Sequence, residues 1–226
     1  MFFIIHTNKY VYMFNPSLMY CMYSEAVVIR GDMIKSREVK AKEEFWKKLD
    51  HVISRINREF RKKLIRKFEI FKGDEITGMS ENLRDAYAIV SKLMEYLQPL
   101  KIRMVISEGS IDQNRRTENL NELDGEVFWN SSTAMNELKK SKRYVRFTTS
   151  NPENDRLVSD IADLLADLKY EWTEKEKEII QYYEELSNQN KVARKLHISQ
   201  QSVSDGLRRA KYKQIRETEN ALIEFI

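Results

Sequence analysis

Phe68-Glu69-Ile70-Phe71-Lys72-Gly73-Asp74-Glu75-Ile76-Thr77-Gly78-Met79 alternates apolar and polar residues up to Phe71 and again from Ile76. The spacing predicts two short strands meeting at a glycine-bearing turn. The turn carries two adjacent carboxylates, Asp74 and Glu75, on a rigid hairpin. Hard oxygen ligands of that kind suit Mg²⁺ beside a phosphate; polar turn chemistry alone also explains them.

Outward from the hairpin, the elements fall into a recognisable order. Upstream, Phe45, Leu49, Val52, Ile53, Ile56, Phe60 and Leu64 have helical spacing, predicting a helix over 41–64 with a basic outer face. Before it, Ala26 to Ile29 is a short apolar run, expected as a buried strand that ends at Gly31-Asp32. Downstream, Leu83 to Leu97 forms a second amphipathic helix stopped by Pro99. Ile102 to Ile106 is expected as a strand ending in Ser107-Glu108-Gly109. A polar loop leads to Asp124-Gly125, a helix from about Val127 to Lys140, and an alternating strand from Tyr144 to Thr148. The order β-α-β-β-α-β plus α-β predicts an α+β sandwich of ferredoxin-like type.

After Pro152 the pattern is wholly helical. A connecting helix is expected over 151–172. Thr173-Glu174-Lys175-Glu176 is a capping box that opens the next one. The expected domains are therefore 25–150, a connector over 151–172, and an all-α domain over 173–226. Residues 1–24 are aromatic-rich without a clean period. Two readings of them stay open: an upstream false start with Met22 as the true first residue, or a hydrophobic N-terminal arm.

The chain has 226 residues, 42% hydrophobic and 33% charged, which predicts a soluble globular protein. Its single cysteine, Cys21, excludes a disulfide framework, and three scattered histidines exclude a His-based metal cluster. No apolar run is long enough to span a membrane, and no secretion signal is recognisable. The expectation is a cytoplasmic protein without a membrane partner.

Four of the six glycines sit beside acids: Gly31-Asp32, Gly73-Asp74, Glu108-Gly109 and Asp124-Gly125. In a ferredoxin-like sheet the end of the first strand lies beside the central hairpin, so Asp32 and Asp74 are expected close together. Two such carboxylates repel unless one is protonated or a cation lies between them. That predicts a divalent-metal or nucleotide site at Asp32 and Asp74, with Glu75 as second choice.

The segments Val-Ile-Arg-Gly-Asp-Met-Ile-Lys-Ser-Arg (28–37), Phe-Lys-Gly-Asp-Glu (71–75), Ile-Arg-Met-Val-Ile-Ser-Glu-Gly (102–109) and Asp-Gly-Glu-Val-Phe-Trp-Asn (124–130) resemble the SatD-like family. That family in turn looks like the catalytic palm of class III nucleotidyl cyclases. The resemblance covers residues 25 to 150. It implies that Asp32 and Asp74 hold Mg²⁺ against a nucleotide triphosphate, and that Lys35, Ser36 and Arg37 contact phosphates. Cyclases also carry an Asn followed four residues later by an Arg that stabilises the transition state. Here Asn130 is followed by Ala134, which counts against cyclisation.

Residues 173 to 212 resemble the helix-turn-helix of sigma-factor region 4 and related regulators. The sequence predicts a helix with Val192, Ala193 and Leu196 inside and a turn at His197-Ile198, where the motif usually has Gly. A second helix follows, N-capped by Ser199 with Val203 and Leu207 inside. Gln200, Gln201, Ser202 and Ser204 stand where polar side chains reach base edges. Lys191, Arg194, Lys195, Arg208, Arg209 and Lys211 supply a basic flank for phosphates. A solvated helical hairpin is the alternative.

The leading expectation is a DNA-binding transcriptional regulator with two parts: a palm acting as sensor or assembly domain, and a helix-turn-helix contacting double-stranded DNA as a homodimer. Two rivals are a Mg²⁺-dependent nucleotidyl cyclase or nucleotidyltransferase, and a degenerate palm that only mediates interactions.

Overall fold

Strand β3 (Leu18–Met33) carries the sheet. The computed structural model describes residues 3–7, 10–15, 18–71, 73–112, 120 and 123–226, and side chains from residue 25 onward except at 37 and 112. Along one edge, the first part of β3 pairs with β2 (Tyr10–Asn15), which pairs with β1 (Phe3–Thr7). Farther along β3, Val27 to Asp32 pair with β5 (Glu75–Ser80), which pairs with β4 (Leu64–Phe71). On its other edge β3 pairs with β6 (Ile102–Asp112), and β6 with β7 (Val145–Thr148). All pairs are antiparallel except β6 with β7. The fold is mixed α+β.

Helix α1 (Lys42–Glu59) buries Phe45, Leu49, Val52, Ile53 and Ile56, the stripe that helical spacing requires. It ends before Leu64, which begins β4 instead of closing the helix. Just before the helix end, the Asn57 side chain donates to the Phe68 carbonyl at 2.9 Å and accepts the Phe68 N–H at 2.7 Å. Phe68 lies within the stretch where β4 shifts register against β5, between Arg66 and Glu69. The Phe68 ring then lies over Gly78, where a Cβ would meet it at 2.7 Å. Only glycine allows that approach.

Helix α2 (Leu83–Leu97) is capped by Asn82, which accepts the Asp85 N–H at 2.8 Å. It packs on α1 and on β3, β5 and β6. Helix α3 (Glu126–Lys140) covers the face of the sheet that bears Ala26 and Val28, burying Val127 against them. Farther along, Ala134, Met135 and Leu138 pack on Val105.

The first expected strand end, at Gly31-Asp32, falls one residue short of the end of β3 at Met33, while the second is an interior position. Gly31 lies within β3, opposite Ile76 and Met104. Ser107-Glu108-Gly109 lies within β6, with Gly109 opposite Ala26. The polar residues look like a loop in sequence, but the long β3 edge gives their backbone groups partners.

The chain divides into two compact units, Met1–Asp163 and Leu164–Ile226, within helix α4 (Pro152–Tyr170). In the first unit, Asp163 accepts the Tyr144 and Val145 N–H groups at 2.5 and 3.2 Å, and Ser159 accepts that of Phe147 at 2.8 Å. The second unit holds α5 (Glu174–Leu186), α6 (Gln189–Leu196), α7 (Gln200–Arg209) and α8 (Tyr212–Phe225). Thr173 and Glu176 form the reciprocal capping box of α5. Ile179, Val192, Val203, Leu207, Ile215 and Leu222 are buried there. Among the described residues no helix is long and apolar enough to cross a membrane.

Candidate functional site

Side chains directly opposite one another in antiparallel strands share a face, and alternate residues along a strand do too. Asp32 is opposite Glu75 on one side and Arg103 on the other. One step back along the ladder, Arg30 is opposite Thr77 and Val105. The register thus sets a row of Arg103, Asp32 and Glu75 on the face covered by α3.

Lys139, in the last turn of α3, closes that row. Its Nζ lies 2.7 Å from Asp32 Oδ1 and 3.1 Å from Glu75 Oε1. Arg103 approaches the other Asp32 oxygen at 3.4 Å. Asp32 is buried, its side chain only 10% exposed, while that of Lys139 keeps 35%. Burial lowers the Lys139 pKa, but hydrogen bonds and charge from Asp32 and Glu75 outweigh it and leave the pKa raised. The cation between two carboxylates is an ammonium of the chain itself.

One residue earlier, the hairpin turns Asp74 elsewhere. Its backbone carbonyl accepts the Met33 N–H at 3.2 Å, and its carboxylate accepts the Ser36 hydroxyl. Glu75, not Asp74, therefore stands opposite Asp32. Lys35 pairs with Glu38 at 3.3 Å, both well exposed, and the Arg37 side chain lies outside the described residues. Two of the three residues expected to hold phosphates, Lys35 and Ser36, therefore have separate engagements.

These residues do not fit a bare Mg²⁺. Both Asp32 oxygens face cations, Glu75 faces the same ammonium, and Asp74 is engaged by Ser36. Among the described residues no group of three or more His, Cys, Asp or Glu is placed to hold a metal ion. Ala134, where the cyclase resemblance asks for an arginine, is buried beside Val105, Met135 and Leu138. Two guanidinium groups are less complete. Arg30 donates to Ser132 Oγ at 2.7 Å, yet its Nε and that of Arg103 are buried without an acceptor among the described residues. Burial lowers the Arg30 pKa, and the charge of Glu75 partly opposes this.

In the second unit, α6 and α7 join at His197, which adopts the left-handed conformation with φ 53°. The Ile198 N–H returns to the Ala193 carbonyl at 3.0 Å and closes the turn. Gly206 lets α7 approach α5 closely: a Cβ there would meet Ile179 Cδ1 at 2.6 Å. With Val203 and Leu207 buried inward, Gln200 and Gln201 are exposed at the start of α7, and Ser202 and Ser204 are half-buried. Ser199 caps the helix by accepting the Ser202 N–H at 3.0 Å. Lys191, Arg194, Lys195, Arg208, Arg209 and Lys211 are exposed. Arg208 pairs with Asp205 at 2.8 Å and Arg209 with Glu176 at 3.4 Å. Lys195 lies 5.7 Å from the Tyr182 ring centre. An open groove of about 640 Å³ runs along Asn190, Ala193, Arg194, His197, Ile198 and Gln200.

The sequence matches the SatD family over residues 26–226. The chain belongs to the SatD family. A comparison with curated proteins found no match. Among solved structures, this SatD-family chain is similar to a bacterial light-regulated adenylyl cyclase, at 13% identity and TM-score 0.40, over 55% of this chain and 76% of that one. It is similar to the guanylyl cyclase Cya2 at 13% identity and TM-score 0.35, over 49% and 68%. A third is a regulator of polyketide synthase expression from Bifidobacterium adolescentis, at 12% identity and TM-score 0.32, over 91% and 82%.

The SatD match continues past residue 150, where the resemblance drawn from motifs stops, and takes in helices α4 to α8. Sequence reasoning misses Lys139, Arg103 and Arg30 as members of the charged row. Lys139 reads as one more basic residue at a helix end. The available signal is the parity of Arg30 and Asp32 on a strand whose neighbours carry Glu75 and Arg103.

Proposed function

We propose that this SatD-family chain is a cytoplasmic DNA-binding regulator, with helices α6 and α7 as its helix-turn-helix and the first unit as a ferredoxin-like, cyclase-type palm. The observation that carries the reading is the exposed start of α7, with Gln200 and Gln201 flanked by six exposed cations. Polar side chains at that position reach base edges, and the cations neutralise phosphates. The partition into a palm at 25–150, a connector at 151–172 and a DNA-binding part at 173–226 belongs to this proposal, as does a homodimer.

The palm acts as a sensor in this reading. The buried Arg30 and Arg103 Nε–H groups, which lack acceptors among the described residues, support an anionic ligand such as a nucleotide, whose phosphate oxygens would supply them. Cyclisation draws less support, because Ala134 offers no charge for the transition state.

Selection from random duplexes, followed by titration at two salt concentrations, tests the DNA reading. The enriched duplex should bind less tightly as salt rises. Arg208→Ala, with a side chain 80% exposed, should weaken all duplexes about equally and reduce the salt slope by about one. A homodimer should select two half-sites one DNA turn, or a multiple of it, apart. Absence of any enriched duplex together with absence of salt-dependent binding sinks the proposal.

A further inference from the structure

Gln189 and Gln200 are the first residues of α6 and α7. Each follows a capping residue: Asn188 accepts the Lys191 N–H at 3.1 Å, and Ser199 accepts the Ser202 N–H at 3.0 Å. The two caps fix where both helices start, and so fix the two glutamine backbones. Gln200 Nε2 donates to Gln189 Oε1 at 2.5 Å. Gln200 is exposed and Gln189 half-buried.

A hydrogen bond between two wet amides adds little to stability, because water serves each of them nearly as well. It also restrains two side chains with three rotatable bonds each. Its consequence is orientation. A primary amide has two N–H groups, one on the side away from its oxygen and one on the same edge as the oxygen. When the N–H given to Gln189 is the one away from Oε1, the other N–H and Oε1 form a donor–acceptor edge. That edge matches the N7 acceptor and N6 donor which adenine presents in the major groove. Gln189, accepting through its oxygen, retains its own N–H groups for a phosphate, the contact that fixes register rather than sequence.

We propose that Gln200, held in orientation by Gln189, reads one adenine in the DNA target. This rests on the DNA-binding reading above and goes further, naming a base and the pair of residues that selects it. Gln200 is the specificity-determining residue and Gln189 a positioning residue. A preformed amide also has less freedom to lose on binding, so its discrimination should exceed that of an untethered glutamine.

The experiment uses the full chain, its enriched duplex, and that duplex with each base pair exchanged in turn. Gln200→Ala should reduce discrimination at one A·T pair by about 5- to 100-fold. Gln189→Met removes the acceptor while keeping the length of the side chain. It should relax the same base pair by a smaller factor, with the salt slope and melting temperature unchanged. If a duplex is enriched but the two variants leave base preference intact, or relax different base pairs, the pair is not a reading device and DNA binding stands. A drop in the melting temperature of Gln189→Met that accounts for its loss of binding also overturns the positioning role. If the full chain enriches no duplex and shows no salt-dependent binding, both this inference and the proposed function fall.

Discussion

Two lysines, one in each unit, meet carboxylates in opposite ways. Lys169 at the end of α4 pairs with Glu219 of α8, and both side chains are 5% exposed. Glu219 is also bonded by Arg216 at 2.5 Å, and Arg216 reaches Glu184. Lys139 also pairs with a buried carboxylate, but remains 35% exposed and is shared by two acids. A charge sealed away from water can fix how helices pack, and it has no access to a ligand. An ammonium 35% exposed between two carboxylates satisfies both and keeps its access to water. The difference separates a sealed ion pair from an open one, although the two look equally charged in sequence.

The comparison breaks first at Lys169. Lys169→Met leaves the buried Glu219 short of a cation and should cost about 3 kcal/mol in urea unfolding. Changing Glu219 to Met as well should recover part of that loss, because the buried carboxylate, left with Arg216 alone, is then gone. Equal stability of the single and double variants would show that Lys169 acts through packing alone.

A smaller effect is expected at Lys139. Lys139→Met should cost about 1–2 kcal/mol, since Arg103 still faces Asp32 and the site is partly solvated. The sharper readout is the melting temperature with added ions. Mg²⁺ alone should leave the parent unmoved, and should raise the variant by mass action once the ammonium is gone. A nucleoside triphosphate alone should raise the parent. A parent protein that responds to Mg²⁺ without nucleotide would show that Lys139 is not its resident cation.

The smallest effect concerns Glu108, also in the first unit. Burial raises its pKa, and the charges of Glu25 and Asp155 raise it further. The folded protein therefore holds that proton more tightly than the unfolded chain. The linked stability is present below the ordinary carboxylate range and is lost as pH rises through the raised value. Glu108→Gln cannot ionise, so it should melt above the parent at pH 7 and converge with it at pH 4. A difference independent of pH would remove the linkage.

The periodic elements are legible in the sequence because one local pattern decides each. The stripes of α1 and α2, the capping box of α5 and the alternation of β5 need no distant partner to be recognised. Leu64 and Ser107-Glu108-Gly109 go the other way for a tertiary reason. Asn57 holds the Phe68 backbone where β4 shifts register, and the edge of β3 pairs polar residues into β6. Asp32 and Glu75 are legible as candidates from their place at the hairpin. Lys139 is not, since nothing within its own helix points to a strand far upstream. Residues 1–24 show no strand period in sequence, yet their backbone forms β1, β2 and the start of β3 where it is described.

The unbroken ladder from Tyr23 opposite Asp112 to Met33 opposite Ile102 gives the charged row a phase as well as an address. Which acids and bases meet is decided by whether a position is odd or even along β3. Deleting Val28 or Ile29 would change no charge of the row, yet it would shift the frame and send Asp32 to the other face of the sheet. Insertions or deletions in this strand should therefore be tolerated in pairs far more readily than singly.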